Sequence, residues 1–115
     1  MQFDYHNRYF KAVSNTKNGE TSEETIFHYY QQGDIVWATY QGGDILFGTL
    51  LARMDKDGSL DMRYQQLNIN GEFRAGECRS VPELLPDGRY RVHEKWHWVS
   101  GDESSGTSVI EEVVP

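Results

Sequence analysis

The stretch Leu60-Asp61-Met62-Arg63-Tyr64-Gln65-Gln66-Leu67-Asn68-Ile69-Asn70-Gly71-Glu72-Phe73-Arg74-Ala75-Gly76-Glu77-Cys78-Arg79-Ser80-Val81 carries the pattern that decides the fold. Leu60, Met62 and Tyr64 alternate with Asp61, Arg63 and Gln65, the two-residue period of a half-buried strand. Asn70-Gly71 then interrupts the pattern. Both of its residues tolerate positive φ, which is what a tight hairpin turn demands. The same punctuation recurs outward in both directions, at Asn18-Gly19, Gln32-Gly33-Asp34, Gly42-Gly43-Asp44, Asp55-Lys56-Asp57-Gly58, Pro86-Asp87-Gly88 and Ser100-Gly101-Asp102. The segments between are short and rich in Tyr, Trp, Phe, Val, Ile and Thr, residues that suit a pleated surface. Short strands at regular spacing mark an all-β sandwich or barrel.

Eight strands are expected, over 5–13, 23–31, 34–41, 44–54, 59–69, 72–82, 88–99 and 107–114. No long segment shows helical periodicity; Glu20 to Glu24 allows at most one helical turn. Tight turns make consecutive strands antiparallel neighbours. A flat meander of eight would leave two open edges, and closure removes both. The expected fold is therefore one domain over 1–115, an eight-stranded antiparallel up-and-down barrel of lipocalin or calycin type, with the last strand meeting the first. A two-sheet β-sandwich is the alternative.

Composition bounds the function. Seven Tyr, five Phe and three Trp supply the core of a 115-residue chain. A net charge of −7 argues against a general nucleic-acid binder, since phosphate neutralisation needs a basic surface. No apolar run approaches the roughly 18 to 20 residues of a membrane-spanning helix. The N-terminus lacks the basic and apolar regions of a secretory leader, and Cys78 has no internal disulfide partner. These features point to a cytoplasmic protein that engages neither nucleic acid nor membrane, with a homodimer left open.

Turn chemistry then sets an expected register. If Asn70-Gly71 is a two-residue turn, Ile69 faces Glu72, Tyr64 faces Glu77 and Met62 faces Arg79. If Asp87-Gly88 closes the next hairpin likewise, Glu77 faces Trp98 and Arg79 faces Trp96. One face then holds Leu60, Met62, Tyr64, Gln66, Phe73, Ala75, Glu77, Arg79, Val81, Glu94, Trp96 and Trp98. The reverse holds Asp61, Arg63, Gln65, Arg74, Gly76, Cys78, Ser80, His93, Lys95 and His97. The first face is the more apolar and is assigned to the interior. A bulge at Pro82 would flip one strand against the next. Further back, the Gly42-Gly43 turn places Trp37 over Gly48.

That interior carries charges, and buried charges need partners. Arg79 is expected between Glu77 and Glu94. The cluster reads either as a structural ion pair at a barrel mouth or as a ligand site formed by Tyr64, Gln66, Glu77, Arg79, Glu94, Trp96 and Trp98. An eight-stranded barrel is of the size that fills itself or holds one small ligand. Glu94 is the candidate catalytic residue: a carboxylate among Trp rings tends to a raised pKa, as a general acid or base requires, whereas Arg79 would oppose that shift.

Other candidate chemistry is weaker. His93 and His97 would sit about 13 Å apart on a strand, too far to share an ion, and nothing completes a site around His6 and His28, so no metal is expected. Asp55-Lys56-Asp57-Gly58 reads as a hairpin, because its glycine comes too early for a calcium loop. Arg63, Arg74, Arg91, His93 and Lys95 form a basic stripe on the outer face, with Cys78 beside it. No phosphate-cradling glycine loop or nucleophile elbow occurs, and no cofactor is expected.

The strings Asp57-Gly58-Ser59-Leu60-Asp61-Met62-Arg63-Tyr64-Gln65-Gln66, Gly76-Glu77-Cys78-Arg79-Ser80-Val81-Pro82-Glu83 and His93-Glu94-Lys95-Trp96-His97-Trp98, with Gly42-Gly43, Gly48 and Asp87-Gly88-Arg89, resemble a family of small bacterial proteins of about this length. The resemblance runs from Val13 to Glu112 and implies a lipocalin-like barrel. Members of that family carry the label N-acetylglutamate synthase. Acetyl-CoA-dependent N-acetyltransferases use an α/β fold and a glycine-rich loop at a helix start, and this sequence has neither. Three functions are then open: a module binding a small, partly polar or anionic molecule in the barrel mouth, a small isomerase or hydrolase using Glu94, or a filled barrel serving self-association.

Overall fold

Three hairpins of this chain share one local sequence, an Asx-Gly pair in the last two positions of a three-residue loop. In each, the glycine takes a positive φ and the residues on either side close the loop. Gly58 N–H donates to the Asp55 carbonyl, and Asp55 N–H to the Ser59 carbonyl. Gly71 repeats this on Asn68 and Gly88 on Leu85, with Asn68 N–H donating to Glu72 and Leu85 N–H to Arg89. The glycines sit at φ 89°, 79° and 90°, while Asp57, Asn70 and Asp87 keep negative φ. This is a turn followed by a left-handed glycine, the three-residue hairpin, and not the two-residue turn with two positive φ values.

The computed structural model describes residues 2–114. Its strands are β1 (Arg8–Asn15), β2 (Ile26–Gln32), β3 (Ile35–Gly42), β4 (Ile45–Met54), β5 (Leu60–Asn68), β6 (Phe73–Leu84), β7 (Tyr90–Trp98) and β8 (Ser105–Val113). Each pairs antiparallel with the next, and β8 returns to β1, closing the barrel. The expected up-and-down barrel is the observed one, and the sandwich is not. No helix occurs among the described residues, so the helical turn allowed at Glu20 to Glu24 does not form.

The extra loop residue shifts each of two expected registers by one. Tyr64 pairs with Gly76 and Met62 with Cys78, rather than with Glu77 and Arg79. Across the next hairpin, Cys78 pairs with Trp96 and Gly76 with Trp98. The two shifts cancel between β5 and β7, so Leu60, Met62, Tyr64 and Gln66 share the interior with Glu94, Trp96 and Trp98 as expected. They do not cancel on β6. That strand is turned over: Gly76, Cys78 and Ser80 are buried inside, while Glu77, Arg79 and Val81 lie outside. Phe73, also expected inside, is 82% exposed.

The register of β3 against β4 departs from expectation by three residues, with a bulge between Tyr40 and Gly42. Gly48 pairs with Tyr40, and Trp37 pairs with Leu51 on the outer face. A Cβ at Gly48 would collide with the Tyr40 ring. Gly76 under Tyr64, and Gly106 under Trp96, repeat the device. Absent side chains thus let three inward aromatic rings lie flat against the opposing strand.

One end of the barrel is sealed by residues ahead of β1. Tyr5 is fully buried and donates its hydroxyl to the Gly58 carbonyl at 2.8 Å. Phe3 and Tyr5 both pack edge-on against Tyr90. Tyr5 was expected to open the first strand; it serves instead as a plug. The opposite end carries the long connection over 16–25, and the cavity lies there.

Candidate functional site

The cavity has a volume of about 50 Å³. Its walls come from inward positions on β2 to β8. Phe27, Leu50, Met62, Tyr64, Trp96 and Trp98 supply apolar surface. Tyr64 meets Trp98 edge-on at 5.5 Å, and Trp96 lies tilted against Trp98 at 5.6 Å. The polar groups are Tyr40, Gln66, Cys78, Glu94 and Ser108, with Asn15, Glu20 and Thr21 at the mouth.

Glu94 forms the deep polar point. Ser108 donates its hydroxyl to Glu94 Oε1 at 2.8 Å. Burial raises the carboxyl to about pKa 7, against hydrogen bonds from Ser108 and Ser80 that hold it down. Arg79 makes no contribution here. It sits on the outer face, where it pairs with Asp55. Glu77 is also outside, 3.8 Å from Arg63 and 3.6 Å from His97. The expected interior cluster of Glu77, Arg79 and Glu94 therefore does not assemble, and without the guanidinium the rise at Glu94 goes unopposed by a cation.

Cys78 moves the other way. Expected outside, it is buried beside Met62 and Trp96, and burial pushes its thiol pKa well up. Tyr40 and Tyr64 are raised for the same reason. Arg74 leaves the expected outer basic stripe as well. Its guanidinium lies over the Trp98 ring at 4.0 Å.

The mouth is the part that sequence reasoning missed. Glu20 reaches down from the 16–25 connection and accepts from Gln66 Nε2 at 2.7 Å and from Asn68 Nδ2 at 2.8 Å. Arg74 Nη1 lies 3.5 Å from the same carboxylate. Gln66 is held in turn by the Tyr40 hydroxyl, which donates to its Oε1 at 2.9 Å. Trp98 donates its indole N–H to the Asn18 carbonyl at 3.0 Å. Glu20 lies in a polar loop with no periodicity to say where it points.

Of the residues expected to bind ligand, Tyr64, Gln66, Glu94, Trp96 and Trp98 line one cavity, and Glu77 and Arg79 do not reach it. No group of three or more metal-ligating side chains occurs among the described residues.

Comparison with known proteins adds one finding. A family model described as avidin-like protein matches residues 3–113, nearly the whole chain. Searches of curated proteins and of solved structures return no match.

Proposed function

We propose, for a chain that belongs to the avidin-like family, that the barrel binds one small, partly polar molecule at its open end. The observation that carries this reading is the cavity itself: an aromatic wall with a few convergent polar groups, at the end of the barrel opposite the Tyr5 plug. Family membership supports the same reading, since avidin binds biotin. The cavity as it stands has room for only a few water-sized groups. A larger ligand therefore needs the 16–25 connection to move aside.

The lining favours a binder over an enzyme. The thiol and the phenols that face the cavity are held protonated by burial, so none is an activated nucleophile. Glu94 is raised toward neutrality, and its hydrogen-bond partners are hydroxyls.

Tryptophan fluorescence tests the reading. Trp96 and Trp98 line the cavity, while Trp37 is on the outer face. In a Trp37→Phe background, a metabolite panel that includes biotin should contain a compound that shifts or quenches the emission saturably. Saturable binding that leaves the two cavity tryptophans unchanged would place the ligand elsewhere and overturn the proposal, as would a panel with no binder at all.

A further inference from the structure

The donors that hold Glu20 are positioned by the barrel and not by Glu20. Gln66 is fixed through its carbonyl oxygen by Tyr40. Asn68 accepts the N–H groups of Asn70 and Glu72 on its Oδ1, which ties its side chain into the β5–β6 turn. Its Nδ2 is therefore aimed at the mouth, with Glu72 as a second acceptor at 3.0 Å. Arg74 is held over the Trp98 ring, and its Nε is buried without a hydrogen-bond partner. Two side-chain amides and a guanidinium thus converge above a cavity with an aromatic wall, and each has a reason to be there that does not involve the carboxylate. Such a set fits a planar oxyanion.

The residue filling it is on a connection with no apolar anchor of its own. Residues 16–24 contain no hydrophobic side chain and contribute none to the core. The segment is held by polar contacts, chiefly Thr16 N–H to the Thr107 carbonyl, Asn15 to Thr21, Asn18 to Ser104 and Ser105, and Thr25 to the Gly42 carbonyl. Lifting it exposes polar groups to water, which replaces their hydrogen bonds at modest net cost. No apolar burial of its own is lost.

We infer that Glu20 is a tethered stand-in for the carboxylate of the ligand. The site takes a small carboxylic acid, as its anion, whose carboxylate replaces that of Glu20 on Gln66, Asn68 and Arg74. Its apolar part then enters the cavity between Tyr64, Trp96 and Trp98, and the 16–25 strap lifts away. This inference rests on the proposed binding function and names its ligand class.

The experiment compares Glu20→Ala with the wild-type chain, using propionate and benzoate as probes and propionamide and benzamide as uncharged controls. Affinity is read by titration while the side-chain amide resonances of Gln66 and Asn68 are followed by NMR. Loss of the tethered competitor should tighten carboxylate binding by about tenfold or more, the scale of one charge-assisted interaction. The two amide resonances should shift, and the controls should gain nothing. If Glu20→Ala does not fold, Glu20→Gln removes the charge while keeping the size and should show a smaller gain in the same direction. No gain for carboxylates, or an equal gain for the amides, overturns the inference. A metabolite that binds wild type at Trp96 and Trp98 without any carboxylate gain in the variant would leave the binding function standing and remove this inference. Carboxylate binding confined to the variant, with none to wild type at any probe concentration, would make Glu20 a permanent plug and overturn the inference as well.

Discussion

Glu94 shows how one residue's environment becomes measurable. Its pKa is about 7 in the folded barrel against an ordinary 4.5. Between those values the folded chain holds a proton that the unfolded chain has released, so stability falls as pH rises through this window. The stabilisation is fully present below about pH 4.5 and lost above about pH 7. The shift corresponds to about 3 kcal/mol. Glu94→Gln should remove this dependence, giving a flatter profile from pH 5 to 8 and a more stable protein than wild type at pH 8. Urea unfolding at a series of pH values checks it, and parallel profiles for the two proteins would show that Glu94 is not the titrating group. The lowered carboxyls, Asp57, Asp61, Glu83, Asp87 and Asp102, act below this window and with the opposite sign. The inward placement of Glu94 was legible because it alternates with His93 and Lys95 beside two tryptophans. The role of Glu20 was not, because a polar loop has no alternation to read.

At the scale of the element, β6 records what a single loop residue does. Side chains alternate every residue, so a three-residue loop in place of a two-residue one turns the whole strand over. The signal was present in Asn68, whose side chain accepts two turn N–H groups and draws the loop closure one residue inward. An Asx-Gly pair alone does not separate the two loop lengths. Burial pattern did not rescue the assignment either, because β6 mixes charged and small residues on both faces: Cys78 and Ser80 fill the interior as small packing groups while Arg79 pairs with Asp55 outside. The register makes a chemical prediction. Cys78 in the folded protein should resist a thiol-reactive disulfide reagent and react only on unfolding in guanidinium, since it is both buried and held as the thiol. Cys78→Ser with Arg79→Cys should react at once in native buffer. The opposite order of reactivity would restore the two-residue turn.

For the whole molecule, closure depends on the seam between β1 and β8, the pairing of the two ends of the chain. The alternation of turns and strands made the barrel legible, and eight strands with two edges to hide made its closure the economical answer. What the pattern could not supply was the bolt across the seam. Phe10 pairs with Glu112, an inward position at the sealed end, where an acidic residue is out of place in a barrel interior. Its carboxylate accepts from Arg8 through both oxygens at 3.0 Å and from the Tyr90 N–H at 3.0 Å. Arg8 also lies over the Tyr90 ring at 4.0 Å, so β1, β7 and β8 meet at one ion pair. Glu112 is mostly shielded from water, which makes the loss of one partner more costly than the pair is worth. Glu112→Ala should therefore destabilise the protein by about 2 to 3 kcal/mol, leaving Arg8 Nη1 and the Tyr90 N–H without the acceptor they share. Amide exchange should quicken along Tyr9 to Ala12 before it does in β4 to β6. Arg8→Met combined with Glu112→Leu should recover much of the loss, because the charge has then left together with its partner. A single variant that matches wild type in urea unfolding, with seam amides still protected, would show that apolar packing of Phe10 and Ile110 closes the barrel without the bolt.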